Sequence, residues 1–397
     1  MLTPACERKP ESVLVTTQVC IEVLLTESPI VMDIHRCRFV PYPSSAINAL
    51  AFSHPSNPNA NGKGPATLRL AIGRAKGDIE IWNPLKGAWF QETILRGGKD
   101  RSIEGLAWTQ DPDEEDRDGW KVPGKLRLFS IGYSTTVTEW DLESGKPVRH
   151  SSGSYGEAWC LAAQPRLQSK QGGNDGAMTD SRLQGQHLAV GCADGAVVLF
   201  STADCDLSFI RTLTRPSTKR ARVLSITFKN RDVVVAGYAD STIRAFDVRN
   251  GQLLRSMSLG AGPAGGPRET LVWSVKCLPD GTIVSGDSTG ELRFWDGNNY
   301  TLVQRLKSHV ADILDVAVSS DGESVMSGGM DQRTTIYKRI GSGKKGDRRR
   351  WAALSHQRFH SHDVKVLAAF ETKNMSIVAS GGTASRPEFE SEPLLTV

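Results

Sequence analysis

Two basic stretches hold the side chains in this sequence best suited to meeting an anionic partner. Arg215-Pro-Ser-Thr-Lys219-Arg220-Ala-Arg222 is one, and Lys344-Lys345-Gly-Asp-Arg348-Arg349-Arg350-Trp351 is the other. Clustered Arg and Lys clamp phosphates, and an adjacent indole can stack on a base. Both stretches therefore read as candidate contacts to RNA or to an acidic partner, with a solvated loop or a nuclear-localisation-like run as the competing reading. An acidic stretch, residues 109–125, holds Asp111, Asp113, Glu114, Glu115, Asp116 and Asp118. A metal cage is conceivable there, but Pro112 and the run of like charges suit a solvated loop better. The glycines from Gly260 to Gly266 have no following Lys-Ser/Thr and open no helix, so a flexible hairpin fits better than a phosphate loop. The sequence carries no Ser-His-Asp, H-E-x-x-H or kinase signature. The expectation is a protein that is not an enzyme, with no catalytic residues, metal, cofactor or small-molecule substrate.

Bulk properties narrow the partners. The 397 residues include 48 Lys and Arg against 44 Asp and Glu, a net charge of +4. Any polyanion surface must then be local. The seven cysteines are scattered, odd in number and without a C-x-x-C pair, which points to reduced thiols in an intracellular protein. Residues 13–31 are the most apolar stretch near the start, but Gln18, Glu22 and Glu27 interrupt it, so neither a membrane span nor a signal peptide is expected.

The elements that must position these charges come from a repeat. An apolar run, a glycine and a polar turn lead into alternating residues that end in an aromatic. Examples run from Gly73 to Trp82, Gly191 to Phe200, Gly237 to Phe246, Gly286 to Trp295 and Gly328 to Tyr337, with a related copy from Leu128 to Trp140. Seven alternating segments precede the glycine strands. They begin at Ile47, Ile103, Ala158, Val223, Val272, Ile313 and Val364. Period-two alternation over five or six residues is a half-buried strand, and Pro279-Asp-Gly281 or Ser320-Asp-Gly322 are turns. Four short strands per unit predict an all-β, seven-bladed β-propeller.

The last unit breaks the pattern. After Gly381 no Asp-x-apolar-x-aromatic strand follows, so the seventh blade is expected to be incomplete. The segment from His35 to Val40 is placed to lend it a strand. The predicted domains are a disordered or mis-assigned extension at 1–31, a propeller at 32–382 and an atypical tail at 383–397.

The aromatic-Asp endings Trp140-Asp141, Phe246-Asp247 and Trp295-Asp296 resemble the closing dipeptide of WD repeats, as does Trp82-Asn83. The resemblance implies a blade-fixing set of a turn Asp, a strand Ser/Thr, an upstream His and the aromatic. The structural residues it assigns are Asp78, Trp82, Trp140, Asp194, Asp240, Phe246, Trp295, His309, Asp331 and His362. Phe246-Asp247-Val248-Arg249 also resembles the ending by which some WD proteins dock to cullin-type ubiquitin ligases. A substrate receptor is therefore the alternative function.

Segments between the repeats are more specific. Ile34-His-Arg-Cys-Arg-Phe39, Arg101-Ser-Ile-Glu-Gly-Leu-Ala-Trp108, Gly156-Glu-Ala-Trp159, Lys219-Arg-Ala-Arg-Val-Leu-Ser225, residues 273–288 and His360-Ser-His-Asp-Val364 occur in the order found in one family. The chain resembles the cirhin family, WD-repeat subunits of the UTP-A (t-UTP) subcomplex of the small-subunit processome. That resemblance implies a scaffold in the nucleus and nucleolus, acting in ribosome biogenesis and rRNA processing. Its implied partners are other UTP-A subunits, processome proteins and the 5′ external transcribed spacer of pre-rRNA, with no membrane. Family members are longer and carry a second propeller.

Overall fold

In a computed structural model the chain is described over residues 20–24, 32–36 and 45–383. The exceptions are 61–63, 86–88, 98–100, 116–119, 153–154, 167–185, 203–206, 215–219, 263–264, 342–348, 359 and 374. Only the backbone is described for 20–24 and 32–36.

Six blades are each an antiparallel sheet of four strands in chain order. The first is Ile47–Phe52, Leu70–Arg74, Ile79–Asn83 and Phe90–Leu95. The second is Gly105–Gln110, Leu126–Ile131, Thr136–Trp140 and Pro147–Ser152. The third is Ala158–Ala163, His187–Cys192, Val197–Ser201 and Ser208–Thr214, and the fourth Val223–Asn230, Val233–Tyr238, Thr242–Asp247 and Leu253–Ser258. The fifth is Val272–Cys277, Ile283–Asp287, Glu291–Trp295 and Leu302–Lys307, and the sixth Ile313–Val318, Ser324–Gly329, Thr334–Ile340 and Arg350–Gln357. Inside the acidic stretch, Glu114–Glu115 pairs with Lys121–Val122 as a separate two-stranded sheet.

A composite sheet closes the ring. Its strands Val364–Thr372 and Met375–Gly382 come from the end of the chain, and Cys20–Leu24 and Met32–Arg36 from its beginning. The expectation of an incomplete last blade is thus corrected, because this sheet has four strands. The borrowed strand is not the one expected. Cys20–Leu24 pairs with Met375–Gly382, while Met32–Arg36 lies outside it, paired only with Cys20–Leu24. Residues 20–24 therefore belong to the ring, a correction to the expected boundary at residue 32. An extra strand satisfies the open edge that the missing repeat element would leave.

The composite sheet is gripped on both sides by polar side chains. The Glu371 carboxylate accepts from the Ser320 amide at 2.6 Å and its hydroxyl at 2.7 Å on the sixth blade. The Glu371 amide donates to Ser56 Oγ near the first blade. Asp315 accepts from Ser274 Oγ of the fifth blade and from the Leu367 amide. Apolar contact adds to this: Ile47, Leu70 and Trp82 share one buried cluster with Val366, Phe370 and Ile377.

The core lies between blades, and the repeat glycines make this possible. A Cβ built on Gly73, Gly191, Gly237, Gly286, Gly328 or Gly381 would stand 2.5–2.6 Å from the Ile or Val that opens the next blade. Those partners are Ile103, Val223, Val272, Ile313, Val364 and Ile47. Hydrogen is the side chain that lets neighbouring sheets meet there, since real Cβ atoms do not approach so closely. The second blade inverts the arrangement. Ile131 occupies the glycine position, Gly105 faces it on the paired strand, and small Ala158 opens the next blade.

Polar groups buried within blades are matched by a second regularity. Trp140 Nε1 donates to Ser130 Oγ at 2.8 Å, Trp295 Nε1 to Ser285 Oγ at 2.9 Å, and Tyr337 Oη lies 3.1 Å from Ser327 Oγ. The partner is ten residues upstream each time. Where the aromatic is Phe200 or Phe246, the corresponding residue is Val190 or Ala236. A buried N–H or O–H needs a partner and a phenyl ring does not. Trp82 is the exception, facing Ile72, and its Nε1 donates instead to Glu80 Oε2 at 3.0 Å. Glu80 is held in turn by Arg74 at 2.7 and 3.2 Å.

Candidate functional site at the mouth of the ring

Antiparallel pairing sets the start of each inner strand beside the hairpin joining the second and third strands. At this end of the ring the inner strands share an irregularity. The register slips around Asn48, Trp159, Leu224, Trp273, Leu314 and Lys365. A β-bulge leaves one residue out of the ladder and re-aims its side chain, and bulges gather at functional rims. The bulged side chains interact across blades. Lys365 Nζ donates to Asn48 Oδ1 at 2.8 Å and Glu104 Oε2 at 3.2 Å, and Asn48 Nδ2 donates to Glu104 Oε1 at 2.8 Å. Trp273 Nε1 donates to Asp312 Oδ2 at 2.7 Å. Local alternation in the sequence does not reveal these residues, because a one-residue bulge only interrupts the period briefly.

The described end of one basic stretch, Arg220 to Arg222, lies at this mouth. Arg222 immediately precedes an inner strand and is exposed. Its guanidinium lies 3.9 Å over the Trp159 ring, and Tyr133 packs against the same indole with centroids 4.9 Å apart. Three consecutive blades thus contribute to one aromatic and cationic cluster. Arg220 is exposed next to it. Partial burial and the Glu104 carboxylate push the Tyr133 hydroxyl up to about 12, so it stays a neutral donor at physiological pH. Arg215 and Lys219 lie outside the described residues. The arrangement offers a charged edge for phosphate or carboxylate and a half-exposed tyrosine face for a planar group.

The described end of the other basic stretch, Arg349 to Trp351, is built differently. Lys344, Lys345 and Arg348 lie outside the described residues. Arg349 pairs with Glu323 at 2.6 Å, and Arg350 is exposed at the start of an outer strand. The expectation that Trp351 stacks on a ligand is corrected. Its indole is buried and lies flat on Phe294, 4.6 Å between centroids and 8° between planes. An apolar surface is available between the fifth and sixth blades, and the ring fills it.

The blade-fixing residues divide similarly. In the sixth blade a carboxylate can only accept, so His309 Nδ1–H donates to Asp331 Oδ1 at 2.8 Å. Nε2 then accepts the Ser327 hydroxyl at 2.7 Å. In the last sheet the buried histidine is His360, 2.8 Å from Ser380 Oγ, while His362 sits partly exposed beside Ser361. The assignment of His362 is corrected by two residues: His360 takes the buried place beside Ser380, and His362 stays at the surface of the segment before the strand. Asp194 accepts from the Ala196 amide and Asp240 from Thr242 Oγ1 and Arg244, so these two order turns. The Asp78 carbonyl accepts the Arg74 amide. Asp247 is tied into its turn by the Arg249 amide at 2.8 Å, and only Arg249 stands clear, at 70% side-chain exposure. Docking through that ending, the cullin-type alternative, needs both side chains exposed on one rim.

Asp331 also makes the fold sensitive to acid. Burial opposes its charge, but hydrogen bonds from His309 and the amides of Val310 and Arg333 outweigh this and hold the carboxyl below its ordinary value. A depressed folded-state pKa gives stability that is present above the unfolded value of about 3.9 and lost as pH falls through the folded value. The thermal midpoint should therefore fall more steeply below pH ~4 in the natural chain than in Asp331→Asn. Parallel profiles for the two would reject this role.

Residues 264–296 and 300–338 match the family described as WD domain, G-beta repeat. They span the fifth blade and most of the sixth, where the Trp295–Ser285 and His309–Ser327–Asp331 bonds lie. This chain is a WD-repeat β-propeller. The propeller is 41% identical over 355 residues to U3 small nucleolar RNA-associated protein 4 of Schizosaccharomyces pombe. It is 38% identical over 357 residues to the protein of that name from Saccharomyces cerevisiae, and 29% identical over 355 residues to the human homolog. Each alignment covers 88% of this chain, which spans less than half the length of these relatives, 41–44%. U3 small nucleolar RNA-associated protein 4 is the cirhin orthologue, in line with the segments that resemble that family.

Proposed function

We propose that this propeller is a non-enzymatic scaffold in early assembly of the small-subunit processome on pre-rRNA, working in the nucleolus with UTP-A subunits. In this reading the composite sheet is the seventh blade of the ring. The observation that carries the proposal is the 41% identity to U3 small nucleolar RNA-associated protein 4 along 88% of the chain. Supporting it, the mouth offers contact chemistry in Arg222, Trp159 and Tyr133. Affinity for a large particle then comes from several weak sites linked on one rigid body.

Two measurements test this. Affinity purification of the tagged chain from nucleolar extract should enrich UTP-A subunits and 5′ external transcribed spacer RNA. Recovery of neither rejects the scaffold. For direct RNA contact, Arg220→Ala with Arg222→Ala should lower the slope of log K against log salt by about 1.4 for a single-stranded spacer fragment, two phosphates at about 0.7 each. An unchanged slope places the RNA elsewhere or removes it.

A further inference from the structure

The outer strands of the third, fourth and fifth blades repeat one surface pattern that the mouth does not use. In the ladders, Phe209 stands opposite Phe200, Leu253 opposite Phe246 and Leu302 opposite Trp295. These three therefore occupy the same position on three consecutive blades. Each is followed by a second exposed apolar residue: Ile210, Leu254 and Val303. All six are 36–63% exposed. Neighbouring residues on a strand face opposite sides of the sheet, so each blade edge is apolar on both sides. Together they form a belt around the outside of three blades. Apolar surface repeated in register is unlike the scattered exposed residues of an ordinary surface.

The charge on this belt has one sign. Arg211, Arg255, Arg305 and Lys307 lie on the same strands, and Ser208–Thr214, Leu253–Ser258 and Leu302–Lys307 contain no Asp or Glu. None of these four cations is in an ion pair among the described residues. Elsewhere on the ring the pattern differs. The outer strand of the first blade holds Glu92, which accepts from Asn83 Nδ2 and pairs with Arg69. The outer strand of the second places Arg149 3.6 Å from Glu139.

We infer that the outer edges of the third to fifth blades bind an extended acidic segment of another protein, with aliphatic side chains seated beside Leu253, Leu302 and Phe209 and carboxylates facing Arg255 and Arg305. Charge complementarity selects this occupant. A basic or neutral segment would leave four unpaired cations beside it, and the apolar residues contribute nothing to RNA phosphates. Strand edges are common docking sites for extended peptides. The inference stands apart from the processome reading, which rests on sequence similarity and the mouth.

The probe is a fluorescent peptide of alternating glutamate and leucine, about 15 residues or ~50 Å when extended. Fluorescence anisotropy should show binding to the natural chain, weakened about tenfold or more in Leu253→Asp with Leu302→Asp. Val148→Asp, on the outer strand of the second blade, should leave binding unchanged. Arg255→Glu with Arg305→Glu should transfer the preference to a lysine-leucine peptide, a result that a folding defect cannot produce. Equal binding of the two peptides by the natural chain overturns the inference, as does equal loss in Val148→Asp. A dimer in sedimentation that Leu253→Asp abolishes also overturns it, since a second copy would then be the occupant. Binding of single-stranded RNA lost in the Arg255 and Arg305 variants does the same.

Discussion

Gly286→Val is expected to destabilise the ring by about 3 kcal/mol, at the upper end of overpacking costs. The reason is contact between blades and not backbone conformation. A Cβ at Gly286 would lie 2.5 Å from Ile313 Cγ2, 3.1 Å from Ile313 Cβ and 3.3 Å from Val316 Cγ2. All three neighbours belong to the next inner strand, so relief requires the two blades to move apart. Ile313→Ala alone should cost ~2–5 kcal/mol by leaving a cavity. The two changes together should cost clearly less than their sum, with coupling of about 1–3 kcal/mol. The second blade already holds such a compensated pair in Ile131 and Ala158. Equilibrium urea unfolding of the two single variants and the double variant checks this. Strict additivity would mean that the glycine positions matter for some reason other than blade contact.

The second large effect is expected at Glu80. Its carboxylate accepts from Arg74 Nε and Nη2 and from Trp82 Nε1, and both charged side chains are under 10% exposed. Glu80→Ala leaves a buried guanidinium and a buried indole N–H without their acceptor. Loss of one partner from a buried pair costs about 3–5 kcal/mol. Replacing both charges, Arg74→Met with Glu80→Met, removes the stranded cation and should return most of that loss, leaving the indole N–H as the residual cost of ~1–3 kcal/mol. Urea midpoints of the single and double variants discriminate the two cases. A single variant within 1 kcal/mol of the natural chain, on the scale of an exposed pair, would show that water reaches the site.

These two positions show how unevenly the fold was legible. Gly286 belongs to a repeat visible at once, and its role could be argued from five sister glycines. Glu80 sits where the repeat offers nothing special, and only the missing serine at Ile72 marks it. The aromatic-to-serine rule was present in the sequence at a fixed spacing of ten, but its meaning needed the hydrogen bonds. His360 and His362 lie two residues apart in a segment before the strand, where no strand alternation applies, so residue type and approximate position did not choose between them. Arg222 was singled out from its neighbours in sequence. Trp159 and Tyr133, which orient it, come from other blades, and no local pattern joins the three.

By itself the chain determined its element type, its repeat length and the places where blades must touch, because alternation, turn residues and glycines act within a few residues. It also limited where uncompensated positive charge could collect. The tertiary structure decided how the ring closes, which basic residues are free to bind and which aromatic is spent on packing. Those outcomes depend on groups hundreds of residues apart, such as Lys365 on Asn48 and Met375–Gly382 beside Cys20–Leu24. Each of these contacts exists only once six blades have been laid down in order and the two ends of the chain are brought together.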